Sequence, residues 1–153
     1  MKEVLVLGIG NILLKDEGVG VHVVKTMAAQ AEAPAHDVEF LDGGTFGPDL
    51  IDAIANRRKV IVVDAVQADG KPGTVLRFGA ENLAARTGVS VSLHDVGLPE
   101  TLLMAEHLGC APREVVIFGI VPRDISPGLD MTEEVAAVVP KVIELVRKEL
   151  GRP

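Results

Sequence analysis

Unbroken apolar runs alternate along the chain with stretches whose apolar residues recur every three or four positions, and this alternation predicts the elements. Val4–Leu7 is a short continuous apolar run, the mark of a buried strand, and it ends in Gly8-Ile9-Gly10-Asn11, a turn rich in residues that tolerate positive φ. From Gly18 the positions Val19, Val23, Met27 and Val21, Val24, Ala28 recur at helical spacing, until the pattern fades near Ala33-Pro34. Val38–Leu41 predicts a second strand that ends at Asp42 and leads into Gly43-Gly44-Thr45. Pro48 suits the first turn of a helix with Leu50, Ile51 and Ile54 as its buried stripe. Lys59–Val63 is the most strongly β-like run, and it ends at Asp64.

A turn-rich connection, Asp69-Gly70-Lys71-Pro72-Gly73, leads to Thr74–Phe78, whose alternation predicts an antiparallel or edge strand. A short helix is expected from Ala80 to Arg86. Val89–Leu93 alternates and runs directly into His94-Asp95, Leu98–Leu108 is helical, and Val115–Val121 is an apolar strand stopped by Pro122. The last helix is expected from Thr132 to Leu150, with Asp130 and Glu133 at capping-box separation and Pro140 placed to kink or break it. Fully apolar strands alternating with amphipathic helices predict an α/β fold: a mostly parallel sheet covered on both faces, hence a three-layer sandwich.

Composition narrows the class. The 153 residues suffice for one domain with a core, 48% of them are hydrophobic, and no composition break divides 1–153 into two. A net charge of −7, no Trp, no Tyr and four Phe argue against a nucleic-acid binder, which needs a basic face and stacking platforms. The one basic cluster, Arg57-Arg58-Lys59, is expected on a solvated helix end. Cys110 is the single cysteine, so an internal disulfide and a cysteine-cluster metal site are excluded, and it reads as a small buried hydrophobe. Glu3 spoils a signal-peptide reading of the start, and no apolar run approaches the ~20 residues of a membrane span. A soluble, cytoplasmic protein is expected.

Ligands of open α/β sheets bind beyond the carboxyl ends of the strands. Asp16 and Glu17 follow the first strand, Asp42 ends the second, Asp64 ends the Lys59–Val63 strand, and His94-Asp95 follow Leu93. Acids before a helix are ordinarily caps, but a helix has one N-cap position, so one of Asp16 and Glu17 is left for other work. Each of the others also has a mundane role as turn former or surface residue. Together they bring several carboxylates and an imidazole to one edge, where mutual repulsion favours a cation. Carboxylates with one imidazole suit Zn, Ni, Fe or Mn. His22, His36 and His107 lie away from that edge and are given surface roles. A dinucleotide site is disfavoured: Leu13 stands where Gly-x-Gly-x-x-Gly needs its third glycine, and two acids occupy the helix entrance where a pyrophosphate would lie. Neither a Gly-x-Ser-x-Gly elbow nor a His-Glu-x-x-His helix is present.

The segments GIGNILLKDEGVGVHVV, LDGGTFGPDLID, VIVVDAV, SLHDVGL and IFGIVP, in this order from about residue 3 to residue 145, resemble the nickel–iron (NiFe) hydrogenase maturation endopeptidases. The resemblance implies an α/β sandwich with a five-stranded sheet and a monomer. It also implies an enzyme that removes a short C-terminal extension from the precursor of the hydrogenase large subunit after nickel insertion. The family's metal-contacting Glu, Asp and His fall on Glu17, Asp64 and His94, which are thereby the expected metal-binding and catalytic residues. The nickel is carried by the substrate, with Zn or Cd as possible occupants in the isolated protein. Asp42, Gly43, Gly44 and Asp16 are the expected substrate-contacting residues. Asp95 departs from the family, in which an uncharged residue is common after the His, and it adds charge near the site. His94 binds metal through a neutral ring nitrogen, so binding is expected to weaken as pH falls through about 6.5. Two other classes stay open on the sequence: a hydrolase of a small substrate that keeps its own zinc, and a non-catalytic nickel-sensing chaperone.

Overall fold

Both faces of the central strands are apolar, and alternate residues serve opposite layers. The computed structural model describes residues 2–30, 37–44, 50–81, 90–91 and 97–152. In chain order the elements are β1 (Val4–Ile9), α1 (Val19–Gln30), β2 (Val38–Gly44), α2 (Leu50–Ile54), β3 (Lys59–Gln67), β4 (Val75–Gly79), β5 (Ser90–Val91), α3 (Gly97–His107), β6 (Glu114–Ile120) and α4 (Glu133–Leu150). Five strands run in the order β2-β1-β3-β6-β4, and the two-residue β5 pairs with the end of β3. β2, β1, β3 and β6 are mutually parallel, and β4 lies antiparallel on β6 at the edge, as the alternation of Thr74–Phe78 predicts.

Val4 and Val6 of β1, with Ile61, Val63 and Ala65 of β3, pack in one cluster with Val23 of α1 and Val142 of α4. Leu5, Leu7 and Ile9, with Val60, Val62 and Val66, pack in a second with Leu50 and Ile54 of α2 and Leu98 of α3. The strand period of two therefore divides the core between two helix layers. Each such side chain fully withdrawn from water contributes about 1.5–3 kcal/mol before the entropy of ordering it. The α/β sandwich expected from the sequence is the fold observed.

Several local expectations are corrected. β2 continues through Asp42 to Gly44, and β3 through Asp64 to Gln67, so the two acids lie inside their strands and do not end them. The reason is continued pairing: Asp42 stands opposite Gly8, Asp64 opposite Gly119, and Val66 opposite Val91 of β5. The basic cluster is not solvated. Arg57 is 3% exposed and donates to the Ala53 and Lys2 carbonyls and to Glu39, and Lys59 is 2% exposed with its ammonium 2.5 Å from Glu149. Only Arg58 keeps an exposed head, 3.3 Å from Glu3.

α4 is not broken at Pro140. Val135 before the proline and Val142, Ile143 and Val146 after it belong to the same core cluster, and that packing holds the two halves in one helix. Its N-cap is Thr132, without a side-chain capping bond, so the Asp130–Glu133 box does not form. Cys110 is half-buried against the second cluster. His36, Thr45, Pro48, His94, Asp95 and the expected helix beyond residue 81 lie outside the described residues. Among the described residues no helix is long and apolar enough to cross a membrane.

Candidate active site

The strand order reverses at β1 and β3: the chain leaves β1 by α1 toward β2 on one side, and β3 lies on the other. Such a switch point opens a crevice at the carboxyl ends of the strands. Here the pairing of β1 with β3 ends at Gly8 opposite Val63, one residue before Asp64. Asp64 is 0% exposed, and by alternation it shares the face of Val62 and Val66.

Glu17 reaches the same edge on a 3-10 turn, Lys15–Gly18, placed between β1 and α1 and packed against β3. Glu17 is 1% exposed. Two glycines allow this approach. Gly20, in the first turn of α1, lies against the Val63 carbonyl, and a Cβ there would overlap that oxygen. Gly10 has φ 135°, and a Cβ on it would overlap the Glu17 carbonyl. The glycines of the opening block thus set the spacing between the turn that carries Glu17 and the strand that carries Asp64.

Asp16 does not cap α1, nor does its carboxylate stand open to a substrate. It is 0% exposed, and its Oδ2 accepts from the Arg123 N–H at 2.9 Å, the Asp124 N–H at 3.0 Å and the Thr132 hydroxyl at 2.8 Å. Its Oδ1 accepts from the Thr132 N–H at 2.8 Å. Asp16 therefore anchors the 122–132 loop, which follows β6, to the turn that carries Glu17. Lys15 adds a second fastening. It adopts φ 47°, donates its N–H to the Gly128 carbonyl at 3.0 Å and places its ammonium 2.9 Å from Asp124. Hydrogen bonds from the Ser126 hydroxyl, then from Lys15, hold the Asp124 carboxyl well below the usual carboxylate range.

At the neighbouring strand end, Asp42 is exposed. One of its oxygens accepts from the Gly44 N–H at 2.9 Å and the other lies 3.6 Å from Lys25. Gly43 is buried, and a Cβ there would come 2.8 Å from Leu7 Cδ1, so packing dictates that glycine. Gly44 turns the chain with φ 54°. His107 is exposed, as expected. His22 is half-buried, with Nε2 out of solvent and no hydrogen-bond partner among the described residues.

The structure brings Glu17 and Asp64 to one edge, with Asp16 as the scaffold of the Glu17 turn, whereas Asp42, paired opposite Gly8 and beside Lys25 of α1, faces the other side of the sheet from Asp64. Among the described residues no three His, Cys, Asp or Glu form a metal cluster, and His94 lies outside them. The 122–132 loop is the part of the site that sequence reading missed. Its bonds to Asp16 are made mostly by backbone N–H groups more than a hundred positions away, which leave no spacing to read.

An α/β sandwich with two buried acids at the carboxyl edge of a parallel sheet has the framework of a ligand or active site at a switch point. Residues 21–149 match the family HycI, hydrogenase maturation protease. The chain is 35% identical over 94% of its length to the hydrogenase 2 maturation protease of Escherichia coli, covering 87% of that protein. It is 36% identical to the hydrogenase expression/formation protein HupD of Rhizobium leguminosarum over 92% of its own length and 70% of that protein. The solved hydrogenase maturating endopeptidase HybD from E. coli superposes with a TM-score of 0.88 at 35% identity, covering 98% of this chain and 92% of that one. The maturation protease HybD from Thermococcus kodakarensis does so with 0.75 at 31%, over 97% and 98%. The chain belongs to the hydrogenase maturation protease family, and it is a peptidase.

Proposed function

We propose that this peptidase removes the C-terminal extension of a nickel–iron hydrogenase large-subunit precursor once nickel has been inserted, and that Glu17, Asp64 and His94 recognise the nickel. The observation that carries the reading is the pair of buried carboxylates, Glu17 and Asp64, delivered to one edge by a turn and a strand that pack together. Hard carboxylate oxygens with one imidazole fit a borderline divalent ion that keeps positions open for other ligands. β5 ends three residues before His94 in the chain, and it pairs with β3 just beyond Asp64.

The nickel is substrate here, since it arrives with the precursor. Glu17 and Asp64 supply the charge that holds it, and the precursor's tail is thereby positioned for cleavage. A divalent ion held there would supply Lewis-acid polarisation of a scissile carbonyl or a hydroxide to attack it. Asp16 and the 122–132 loop keep the Glu17 turn in place. The enzyme acts as a monomer in the cytoplasm.

Intact mass of the precursor, nickel-loaded and nickel-free, measured after incubation with the protein tests this reading. Loss of a C-terminal peptide from the loaded form alone is expected. Cleavage of both forms would remove nickel recognition from the mechanism, and cleavage of neither, with loading verified, would overturn the substrate assignment.

A further inference from the structure

Among the described residues six large apolar side chains are exposed, and they fall into two groups. Leu103 and Met104 stud α3, and Leu108 follows its last residue. Ile12 and Leu13, which follow β1, and Leu129, which lies in the loop after β6, stand on two segments whose backbones are joined. Gly128 donates its N–H to the Leu13 carbonyl at 2.8 Å, and Leu14 and Gly128 form an isolated parallel bridge. Leu13 and Leu129 each lie one residue from that bridge, and they are 58% and 68% exposed.

We propose that this apolar lip is the docking surface for the folded body of the hydrogenase subunit precursor, an inference that rests on the substrate reading above. The lip belongs to the segment that carries Glu17, four residues after Leu13, so whatever polypeptide reaches the acids passes beside it. It is also rigid. Asp16 fastens the 122–132 loop with four hydrogen bonds, and the Lys15–Asp124 ion pair fastens it again. The backbone that carries Leu13 and Leu129 is already fixed and needs no ordering when a partner arrives, which removes one cost of association.

Size selects the partner. A specific protein interface takes about 20–30 residues a side, and three apolar side chains make only a fraction of one. The contact must continue onto the adjoining surface, which is the catalytic edge. A second copy of this chain has no reason to lie across that edge, whereas a protein substrate must. The lip supplies binding that is equal in ground and transition states, so it acts on KM more than on kcat.

The test is steady-state cleavage of nickel-loaded precursor by the wild type, Leu129→Ser, the double variant Leu13→Ser/Leu129→Ser, and Leu108→Ser as an equally exposed control just after α3. The expected result is a KM raised about tenfold in the double variant and less in Leu129→Ser, with kcat retained, thermal melting unchanged, and Leu108→Ser like wild type. An unchanged KM in the double variant, or an equal rise in Leu108→Ser, would overturn the lip while leaving the substrate reading intact. Failure of the wild type to cleave would overturn the substrate reading itself. Sedimentation of the same proteins separates the remaining occupant: concentration-dependent dimers of the wild type, lost in the double variant, would assign the lip to self-association and overturn the proposal.

Discussion

Thr132 gives both its backbone N–H and its hydroxyl to one carboxylate, that of Asp16, at 2.8 Å each. A residue placed to cap α4 with its side chain spends that side chain on the turn beside Glu17 instead. The N-terminus of α4 is thereby fixed to the opening segment of the chain. Asp16→Asn replaces one acceptor oxygen by an amide donor that must face a backbone N–H it cannot pair with, since each oxygen accepts from at least one. Since hydrogen bonds to charged groups contribute about 1.5–3 kcal/mol each, a loss of roughly 2–4 kcal/mol is expected from urea unfolding. Cleavage should fall as well, because the Glu17 turn loosens.

Glu17→Gln and Asp64→Asn are expected to abolish cleavage of nickel-loaded precursor while leaving circular dichroism and compactness as in the wild type. Each keeps the side-chain shape and removes the charge that a divalent ion requires. Near-normal turnover by either variant, followed by mass spectrometry, would remove that residue from the site.

Gly20→Ala tests the spacing of the site. The added methyl meets the Val63 carbonyl, which is backbone and cannot step aside. A destabilisation of about 3 kcal/mol is expected. Below the melting range, activity should still be reduced, because α1 shifts away from β3 and carries the Glu17 turn with it.

At the opposite edge of the sheet, Glu149 is 2% exposed and joined to Lys59 at 2.5 Å and Arg77 at 2.8 Å. Burial pushes its carboxyl upward, but the hydrogen bonds from Arg77 and Lys59 outweigh burial and hold it below the ordinary glutamate value. A carboxylate depressed in the folded state contributes stability above its unfolded pKa of about 4.3 and loses it as pH falls through the lower folded value. Urea unfolding between pH 7 and pH 3 should show that loss, with a shallower slope in Glu149→Gln. At pH 7 the variant should be less stable by about 3–5 kcal/mol, since Lys59 keeps its burial and loses its nearest counter-charge.

Pro140 lies exposed inside α4, where it removes a helix hydrogen bond. Pro140→Ala is expected to raise stability by about 1–3 kcal/mol and the melting temperature with it.

The parts of the fold legible in the sequence are those fixed by neighbours in the chain. The apolar run Val60–Val63 marks a parallel sheet, and the acids near the strand ends mark the edge to which Glu17 and Asp64 come. What escaped is fixed by partners far away. Arg57 and Lys59 read as a solvated cluster because their burial depends on Glu39, on the Lys2 carbonyl and on Glu149, the last 90 residues on. Asp16 and Glu17 are adjacent acids with the same local propensity. They diverge because one is met by the Arg123–Thr132 backbone and the other by the sheet, and no spacing within the opening block separates them.

α4 is fastened at both ends: its first turn through Thr132 to Asp16 at the carboxyl edge, its last through Glu149 to Lys59 at the amino edge. It behaves as a tie-rod across the whole depth of the sheet, and a rod under two fixings transmits slack from either one. Amide exchange in the 122–132 loop is therefore expected to quicken when Glu149 is loosened, so that the far ion pair would be felt, as faster opening, beside Asp16 and Glu17.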